Sequence, residues 1–476
     1  MKEPELLLTV GLEVHAELNT KTKIFCGCRN AFGAPPNTLC CPVCLGLPGA
    51  LPVLNQEVVR DAVRLGLALG ADVSPVSRME RKHYSYPDLP KAYQITQLSA
   101  PICTGGSLAF WLDGALHKVA LTRIQMEEDA GKLLYDAAGN TLIDHNRCGV
   151  PLLEIVTEPQ LHSAREAKAF LEELTRVLLY LGISDVKMQE GSVRADVNLS
   201  WGRETLGPRV ELKNVSSFGA VLRGIEAEAA RQRAVLDAGG AVAQETRRWE
   251  DARGESVLLR GKENAEDYRF FPEPDLPDIC LEQSWIESLK DKVPELPAAR
   301  QGRYQAMGFS PEKAAALAAD RVRSDFYDAC CAVLPQAAVA CANWLLGDIA
   351  RLLRERGQRL EETMLTPQKL CGLQTLIDAK ELSGAAAREV LAVLLERDCP
   401  PRAAAQERDL LLLADGQALT ELVKQVLAQN PKAVQDYRRG KQNALGYLIG
   451  QSRKASKGRA DPEQLKTLLL RFLEDS

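Results

Sequence analysis

The sequence predicts an α+β protein in which an N-terminal domain, built on an antiparallel or mixed sheet, precedes two helical domains. The first part of the chain alternates short stretches of period-two hydrophobicity with Gly and Pro punctuation. After "FFPEPDLPDI" and "VPELPA", helical spacing of Ala, Leu and charged residues takes over, as in "CANWLLGDIARLLRERG". A second joint is expected at Pro400 and Pro401, because consecutive prolines cannot continue a helix. The predicted domains are therefore residues 1–293, 294–402 and 403–476.

Length and composition restrict the class of protein further. A chain of 476 residues is too long for one compact core. No apolar run approaches the roughly 18 residues that span a bilayer, and "MKEPELLLTV" lacks the pattern of a signal peptide. We therefore expect a cytoplasmic protein without a membrane partner. In that reducing compartment, 13 cysteines indicate free thiols and metal ligands rather than disulfides.

A cluster of cysteines lies between residues 26 and 44. Cys26 and Cys28 form one close pair and Cys41 and Cys44 another, which is the layout of a tetrahedral four-thiolate site. Zinc is the predicted ion, with an iron–sulfur cluster and unligated thiols as the alternatives. Cys40 is expected outside the ligand set. Because four thiolates leave no open position for water, such a zinc would be structural rather than catalytic.

Polar side chains alternate with apolar ones along several predicted strands. Alternation places the polar members of each strand on one face of a sheet. Such alternating polar residues are Glu13, His15 and Glu17 in "GLEVHAEL", Arg194, Asp196 and Asn198 in "SVRADVNLS", and Glu211 and Lys213 in "RVELKNV". Further carboxylates are the consecutive Glu127, Glu128 and Asp129 in "QMEEDAGKL" and Glu154 in "PLLEIV". Oxygen ligands with one His suit Mg²⁺ or Mn²⁺, and interleaved Arg and Lys suit phosphate.

Each strand taken singly also fits the solvated face of an ordinary sheet, and His15 alone fits an ordinary hydrogen-bonded residue. Glu128 fits less well than the others. In a regular strand it shares a face with Ile124 and Met126, so either it is not a ligand or the strand breaks there. The sequence contains no P-loop, dinucleotide-binding or nucleophile-elbow motif. If ATP binds, we expect it on the carboxylate-bearing sheet.

The segment from Tyr437 to Ala460 is basic and contains no acidic residue. Its cations are Arg438, Arg439, Lys441, Arg453, Lys454, Lys457 and Arg459. In a chain of net charge −5 this segment indicates a local site for a polyanion, although a solvated helix face is equally compatible with its composition.

Motifs along essentially the whole chain resemble one protein family. They include "GLEVHAEL", "CPVCLGLPGALPVLN", "RKHYSYPDLPKAYQITQ", "EEDAGKL", "LLEIVTEP", "DYRFFPEPDLP" and "QNALGYLIGQSRKASKGRADP". The sequence resembles the B subunits of glutamyl/aspartyl-tRNA amidotransferases. The resemblance implies a heterotrimer with an amidase (A) subunit and a small C subunit. It also implies a reaction in which ATP activates the side-chain carboxylate of Glu-tRNA(Gln) or Asp-tRNA(Asn) as an acyl phosphate, which ammonia from glutamine then converts to an amide.

The resemblance further implies a cradle domain related in fold to glutamine synthetase and a helical tail that binds tRNA through the basic residues named above. It assigns a divalent-metal site to Glu13, His15, Glu128 and Glu154, which favours a strand break at Glu128. Contacts with nucleotide, phosphate or the ammonia path are implied for Lys91, Arg194, Asp196 and Lys213. Two alternatives are a free-standing carboxylate–amine ligase and a non-catalytic, zinc-stabilised tRNA-binding scaffold.

Overall fold

The computed structural model describes residues 6–261, 268–412, 416–456 and 459–474. The chain divides into two compact units, Met1–Pro311 and Glu312–Ser476. The first unit contains the sheets, and the second is helical. This arrangement confirms the predicted α+β class with an N-terminal sheet domain and a C-terminal helical region.

The first unit combines strands and helices. Its strands are β1 (Leu7–Glu17), β2 (Asp72–Val73), β3 (Val76–Ser77), β4 (Glu80–His83), β5 (Tyr93–Thr96), β6 (Cys103–Thr104), β7 (Ser107–Leu112), β8 (Ala115–Glu128), β9 (Lys132–Tyr135), β10 (Thr141–Asp144), β11 (Pro151–Thr157), β12 (Val193–Gly202), β13 (Val210–Val215), β14 (Glu245–Glu250), β15 (Glu255–Gly261), β16 (Phe271–Pro272) and β17 (Ile279–Cys280). Its helices are α1 (Gln56–Ala68), α2 (Ala164–Leu181), α3 (Phe218–Asp237), α4 (Gln283–Lys290) and α5 (Pro297–Ala306).

The main sheet has the strand order β15-β14-β13-β12-β1-β11-β8-β6-β2, and β7 also pairs with β8. The pairings are antiparallel except for β13 with β14, which run parallel and are connected through α3. Ser217 begins α3 by accepting a hydrogen bond from the Ala220 N–H, and Ser163 caps α2 in the same way. The sheet is therefore mixed, as predicted.

The two faces of the sheet differ in chemistry. Along β1, Val14 and Ala16 are fully buried in the core with α1, α2 and α3, whereas Glu13, His15 and Glu17 are half-buried on the other face. The same alternation holds along β12. The predicted period-two pattern is confirmed, and it leaves one face of the central strands lined by polar side chains.

The end of β8 corrects one expectation. The predicted strand break at Glu128 is wrong: β8 runs through Glu128, and its register with β11 is unbroken from Ile124 to that residue. The shift in register lies farther back, between Val156 and Thr157 of β11. Because side chains alternate in a regular strand, Glu127 rather than Glu128 lies on the polar face.

The first unit extends beyond the predicted boundary at 293, because α5 packs on its core. Leu296 contacts the hydrophobic cluster, and the Trp111 indole donates a hydrogen bond of 2.9 Å to the Ala298 carbonyl. The structure therefore ends this unit at Pro311. The boundary at 402 stays a prediction.

The second unit is built from helices and a π-helical turn, Leu345–Ile349, between the third and fourth of them. The helices are α6 (Pro311–Ala318), α7 (Arg321–Val333), α8 (Ala338–Trp344), α9 (Ala350–Arg356), α10 (Pro367–Asp378), α11 (Gly384–Glu396), α12 (Pro401–Glu407), α13 (Gly416–Gln429), α14 (Pro431–Arg438), α15 (Asn443–Ala455) and α16 (Pro462–Glu474). The last four share a small core that includes Leu419, Val423, Leu448 and Leu465. Among the described residues, none of the helices is long and apolar enough to cross a membrane.

Candidate active site

A cavity of about 750 Å³ lies against the polar face of the main sheet. Its lining includes Glu13, His15, Lys82, Glu127, Asp129, Glu154, Arg194, Asp196, Asn198, Arg209, Glu211 and Lys213. Cross-strand register brings these side chains together, since His15 lies opposite Glu154 on β11 and opposite Arg194 on β12. The alternation that the sequence predicts strand by strand thus produces one charged cavity.

Three cavity side chains form a compact group with the ligand types of a hard divalent cation. Nε2 of His15 lies 3.2 Å from Oε1 of Glu127 and 4.0 Å from Oε1 of Glu154. One ligand atom from each residue lies within 4.8 Å of the other two. The Gln125 amide donates to Glu154 and holds that carboxylate in place. An imidazole and two carboxylates in this arrangement suit Mg²⁺ or Mn²⁺.

The electrostatics of this group favour a positive charge at its centre. Burial alone would lower the pKa of His15, but Glu127 and Glu154 outweigh it and raise that pKa to about 9. Burial raises the pKa of Glu154 to about 7, and the nearby Glu127 carboxylate adds to the shift. Despite its own burial, Glu127 has a lowered pKa because it faces the His15 ring.

A second acidic group in the cavity carries its own internal cation. Glu13, Asp196 and Glu211 bring one oxygen each within 4.8 Å of the others. Nζ of Lys213 lies 2.5 Å from Oδ2 of Asp196 and 2.8 Å from Oε1 of Glu211. Burial opposes the charge on Lys213, but Asp196 and Glu211 raise its pKa. Lys213 therefore offsets part of the negative charge of this group and presents an ammonium to the cavity.

Arginine and carboxylate side chains meet at another side of the same cavity. Nη2 of Arg194 donates to Oδ2 of Asp129 at 2.7 Å, and Nε of Arg147 lies 3.4 Å from the same oxygen. Burial is the main cause that raises the pKa of Glu17 to about 8, and the negative charge of Asp129 is the second cause. The expected participants Arg194, Asp196 and Lys213 all lie in the cavity.

Two expected participants lie elsewhere. Lys91 pairs with Glu128, and both side chains are at least nine-tenths buried. Oε1 of Glu128 also accepts a hydrogen bond of 2.9 Å from the Ile95 N–H. The placement of Glu128 beside His15 and Glu154 is therefore wrong, because its side chain leaves β8 on the opposite face from Glu127. The alternation of side chains along a strand is the one signal in the sequence that places Glu127, rather than Glu128, on the polar face.

Sequence reasoning missed several basic residues of the cavity, among them Lys82 on β4 and Arg209 just before β13. Arg209 is exposed and forms no ion pair within the described part of the chain. Neither residue belongs to an alternating strand pattern, so no periodicity could have indicated it. Both add positive charge to the cavity.

The structure brings together the four cysteines expected to hold zinc. The Sγ atoms of Cys26, Cys28, Cys41 and Cys44 lie within 4.8 Å of one another, and those of Cys41 and Cys44 are 3.7 Å apart. Zinc–sulfur bonds of about 2.3 Å in a tetrahedron require sulfurs roughly 3.8 Å apart, so the donor set fits zinc. Hydrogen bonding from Cys26, with help from the Cys41 N–H, lowers the pKa of the Cys44 thiol to about 4.

Two neighbours complete the description of this cluster. Cys40 lies outside the group, and its Sγ donates to the Asn37 carbonyl at 3.3 Å. The fully buried Lys23 donates to the Leu39 carbonyl at 2.7 Å, and its Nζ lies 3.9 Å from Sγ of Cys44. A buried ammonium beside the cluster offsets the negative charge that four thiolates would bring.

The basic residues of the C-terminal segment have different environments. Arg438, Arg439, Lys441, Arg453 and Lys454 are exposed, Arg459 is half-buried, and Lys457 lies outside the described residues. Lys441 pairs with Asp436 at 3.0 Å, and Arg459 donates to the Leu411 carbonyl at 3.0 Å. Arg453 and Lys454, in the last turn of α15, form no ion pair within the described part of the chain and are available to a polyanion.

Comparison with known proteins matches two family models, a GatB/GatE catalytic domain over residues 8–287 and a GatB domain over residues 325–473. The chain is 45% identical over 478 residues to the B subunit of the aspartyl/glutamyl-tRNA(Asn/Gln) amidotransferase of Caldicellulosiruptor saccharolyticus, covering 99% of each chain. The corresponding B subunit of Thermoanaerobacter sp. (strain X514) is 46% identical, and the match covers 97% of this chain and 98% of the relative. That of Anaeromyxobacter dehalogenans is also 46% identical, and the match covers 98% of this chain and 99% of the relative. The chain belongs to the family of B subunits of tRNA-dependent amidotransferases.

Proposed function

We propose that this chain uses ATP to activate the side-chain carboxylate of Glu-tRNA(Gln), Asp-tRNA(Asn) or both as an acyl phosphate, which ammonia from a partner amidase subunit then converts to the amide. The observation that supports the proposal is the cavity on the sheet, whose lining combines the candidate cation site of His15, Glu127 and Glu154 with the basic side chains of Lys213 and Arg209. Phosphoryl transfer depends mainly on positioning and charge neutralisation, and this cavity offers both.

His15, Glu127 and Glu154 would hold Mg²⁺ or Mn²⁺. Their donor atoms are of the type that these ions accept, and the three residues lie on three adjacent strands of one sheet. The bound ion would neutralise charge on the phosphate oxygens during transfer. Glu13 belongs to the neighbouring acidic group with Asp196 and Glu211 and accepts a hydrogen bond of 3.0 Å from the Asn198 amide, so we assign it to positioning of Asn198.

The residues of the chain would act on the substrates as follows. Lys213 and Arg209 would attract the phosphates into the cavity, and Arg194, held by Asp129, would orient the incoming carboxylate. A carboxylate oxygen of the aminoacyl group attacks the terminal phosphorus of ATP, and the bond to the ADP oxygen breaks. Ammonia then attacks the acyl carbon, and inorganic phosphate leaves with the former carboxylate oxygen. Restricted access of water would limit loss of the intermediate to hydrolysis.

The remaining parts of the proposal concern the scaffold and partners. A glutamine-synthetase-like cradle, implied by the sequence resemblance, would suit this carboxylate activation. The four cysteines would hold a structural zinc, separate from the reaction, because all four of its positions are filled by thiolates. The names of the relatives indicate action on aspartyl- and glutamyl-tRNA, and we propose that this chain works with an amidase (A) subunit and a small C subunit.

An assay driven by ammonium tests the proposal without requiring glutamine hydrolysis. The complex of the three subunits is mixed with Mg²⁺, ATP, ammonium chloride and either Glu-tRNA(Gln) or Asp-tRNA(Asn), and the amidated product is measured. We expect product that depends on ATP with at least one of the two tRNAs. Amidation that proceeds equally well without ATP would contradict carboxylate activation by this chain.

The basic segment supports a separate prediction about tRNA. Reversing two charges with Arg453→Glu and Lys454→Glu should raise the KM for aminoacyl-tRNA on the order of tenfold, because two phosphate attractions become repulsions. The KM for ATP should not change. The double variant Lys290→Glu and Lys292→Glu, which alters two exposed lysines of the first unit, provides an equal change of charge as a control. Equal KM values for tRNA in the two double variants would exclude a tRNA contact at the end of α15.

A further inference from the structure

A second group of cysteines lies in the helical unit, apart from the four thiols of the first unit. Its members are Cys330 on α7, Cys341 on α8 and Cys371 on α10, and the three sulfurs lie within 4.8 Å of one another. Cys330 and Cys341 are fully buried, and Cys371 is 3% exposed. Buried cysteines often serve as small apolar residues, but that role does not require three helices to bring their sulfurs together.

A hydrogen bond between two of these helices holds the sulfurs in register. Nε1 of Trp344 on α8 donates to Oε1 of Gln374 on α10 at 2.9 Å. In each helix the bonded residue follows the cysteine by three positions, so the two side chains lie one turn apart on the same face. The contact between the indole and the amide therefore fixes α8 against α10 at the level of the cysteines.

The backbone beside the group is irregular. Helix α8 continues directly into the π-helical turn Leu345–Ile349, whose first and last residues are buried. Such turns are rare in proteins and occur frequently at functional sites. Cys341 lies about one helical turn before this irregularity, which is a second indication that the group does more than fill space.

New bonds to these sulfurs would disturb few existing contacts. Sγ of Cys371 donates to the Cys330 carbonyl at 3.5 Å, and Sγ of Cys330 lies 4.0 Å from the Pro367 carbonyl. A thiol is a weak donor, so the loss of either contact costs little. The Cys330 carbonyl also accepts a hydrogen bond of 2.8 Å from the Leu334 N–H and would remain satisfied.

The electrostatic surroundings distinguish this group from the four-cysteine cluster, where the buried Lys23 ammonium lies beside the thiols. Within the described part of the chain, the group that acts on the Cys341 thiol besides the other two cysteines is Asp378, an anion. Three thiolates around a divalent ion would leave a net negative charge in this buried site, which is costly without a compensating cation. The group therefore suits a ligand that forms an uncharged product.

The number of donors leads to the same class of ligand. Among the described residues, no fourth cysteine, histidine or carboxylate belongs to this group, whereas structural zinc takes four ligands. Trivalent arsenic forms three bonds to sulfur. When arsenous acid reacts with three thiols, three S–H and three As–O bonds break, three As–S and three O–H bonds form, and three water molecules leave. Arsenic stays trivalent, and the product carries no charge.

The geometry points to a binding site for trivalent arsenic at Cys330, Cys341 and Cys371. Arsenous acid is small and uncharged, and local opening of the helices gives it access to the buried thiols. Bound arsenic links α7, α8 and α10 of the second unit. The residues of the charged cavity belong to the first unit, so this inference does not depend on the proposed function.

Arsenic content and coordination test the site in the full, zinc-loaded chain. The chain is treated with sodium arsenite, the excess is removed by gel filtration, and arsenic and zinc are measured by elemental analysis. We expect one arsenic per chain with the zinc content unchanged, and X-ray absorption at the arsenic edge should show three sulfur neighbours and no oxygen. A remaining oxygen neighbour would overturn the inference, as would a loss of zinc equal to the arsenic gained.

Matched substitutions locate the bound arsenic. Cys341→Ala should lose it, because one of the three As–S bonds cannot form. Cys331→Ala should retain it, since this half-buried neighbour on α7 lies outside the group. Equal arsenic contents in the two variants would overturn the assignment, and a second zinc per chain that is absent from Cys341→Ala would overturn the choice of a trivalent ion. If Cys341→Ala does not fold, Cys371→Ala takes its place, and X-ray absorption of the unmodified chain decides the coordination without any variant.

Discussion

Replacing Glu127 with glutamine is expected to reduce ATP-dependent amidation by a hundredfold or more, which exceeds the roughly 10- to 100-fold effect of losing a group that only supports a metal ligand. Oε1 of Glu127 lies 3.2 Å from Nε2 of His15, and removal of its charge leaves the candidate metal site with one anionic ligand, Glu154. The variant should remain folded, because the glutamine side chain has nearly the same shape. Metal affinity, measured by titration of Mn²⁺ with electron paramagnetic resonance, should fall together with activity.

Glu128→Gln is the matched control, since it makes the same chemical change one residue away on the opposite face of β8. Its partner is the buried Lys91, so the expected effect is on stability, with a loss on the order of 3 kcal/mol in the free energy of unfolding. Binding of Mn²⁺ should be retained. If Glu128→Gln abolished Mn²⁺ binding while Glu127→Gln retained it, the assignment based on strand register would be incorrect.

The thiolate cluster should produce the second large effect. We expect one zinc per chain in the purified protein. Cys44→Ser should remove it, because the substitution deletes one of the four thiolate ligands, the one whose Sγ lies 3.7 Å from Sγ of Cys41. Since binding energy of a structural zinc is also folding energy, the free energy of unfolding should fall by several kcal/mol. Elemental analysis and denaturant unfolding measure the two quantities.

Cys40→Ser controls this experiment. Cys40 belongs to the same segment but lies outside the four-sulfur group, so zinc content and stability should remain those of the unmodified chain. Equal zinc contents in the Cys40→Ser and Cys44→Ser variants would contradict the assigned ligand set. Iron and inorganic sulfide in place of zinc would indicate the alternative cluster that the same ligands can hold.

Much of the fold is predictable from local patterns in the sequence. Alternation along "GLEVHAEL" and "SVRADVNLS" predicts which side chains face the core, because the period of a strand is two. The helical region is equally predictable from its spacing and composition. The end of the first unit is not, because α5 has an ordinary helical pattern and belongs to that unit only through contacts such as the bond from Trp111 to Ala298.

The candidate site shows where sequence reasoning stops. The alternation of side chains along β8 predicts that Glu127 and Glu128 lie on opposite faces, whereas matching the motif "EEDAGK" by resemblance selects Glu128, which lies outside the cavity lining. The pairing order of the strands, which brings Glu154 opposite His15, depends on contacts far apart in the chain. The same is true of Lys91, whose partner across the fold is Glu128, and of Arg209, which no repeating pattern marks.

The central claim, activation of the substrate carboxylate by phosphoryl transfer, is tested most directly by tracing oxygen. Glu-tRNA(Gln) or Asp-tRNA(Asn) labelled with ¹⁸O in the side-chain carboxylate is amidated by the complex with ATP and ammonium, and the released phosphate is examined by mass spectrometry. An acyl phosphate requires one carboxylate oxygen to leave with each phosphate, so the account predicts phosphate that contains ¹⁸O in proportion to the amide formed. Amide formation accompanied only by unlabelled phosphate would contradict it.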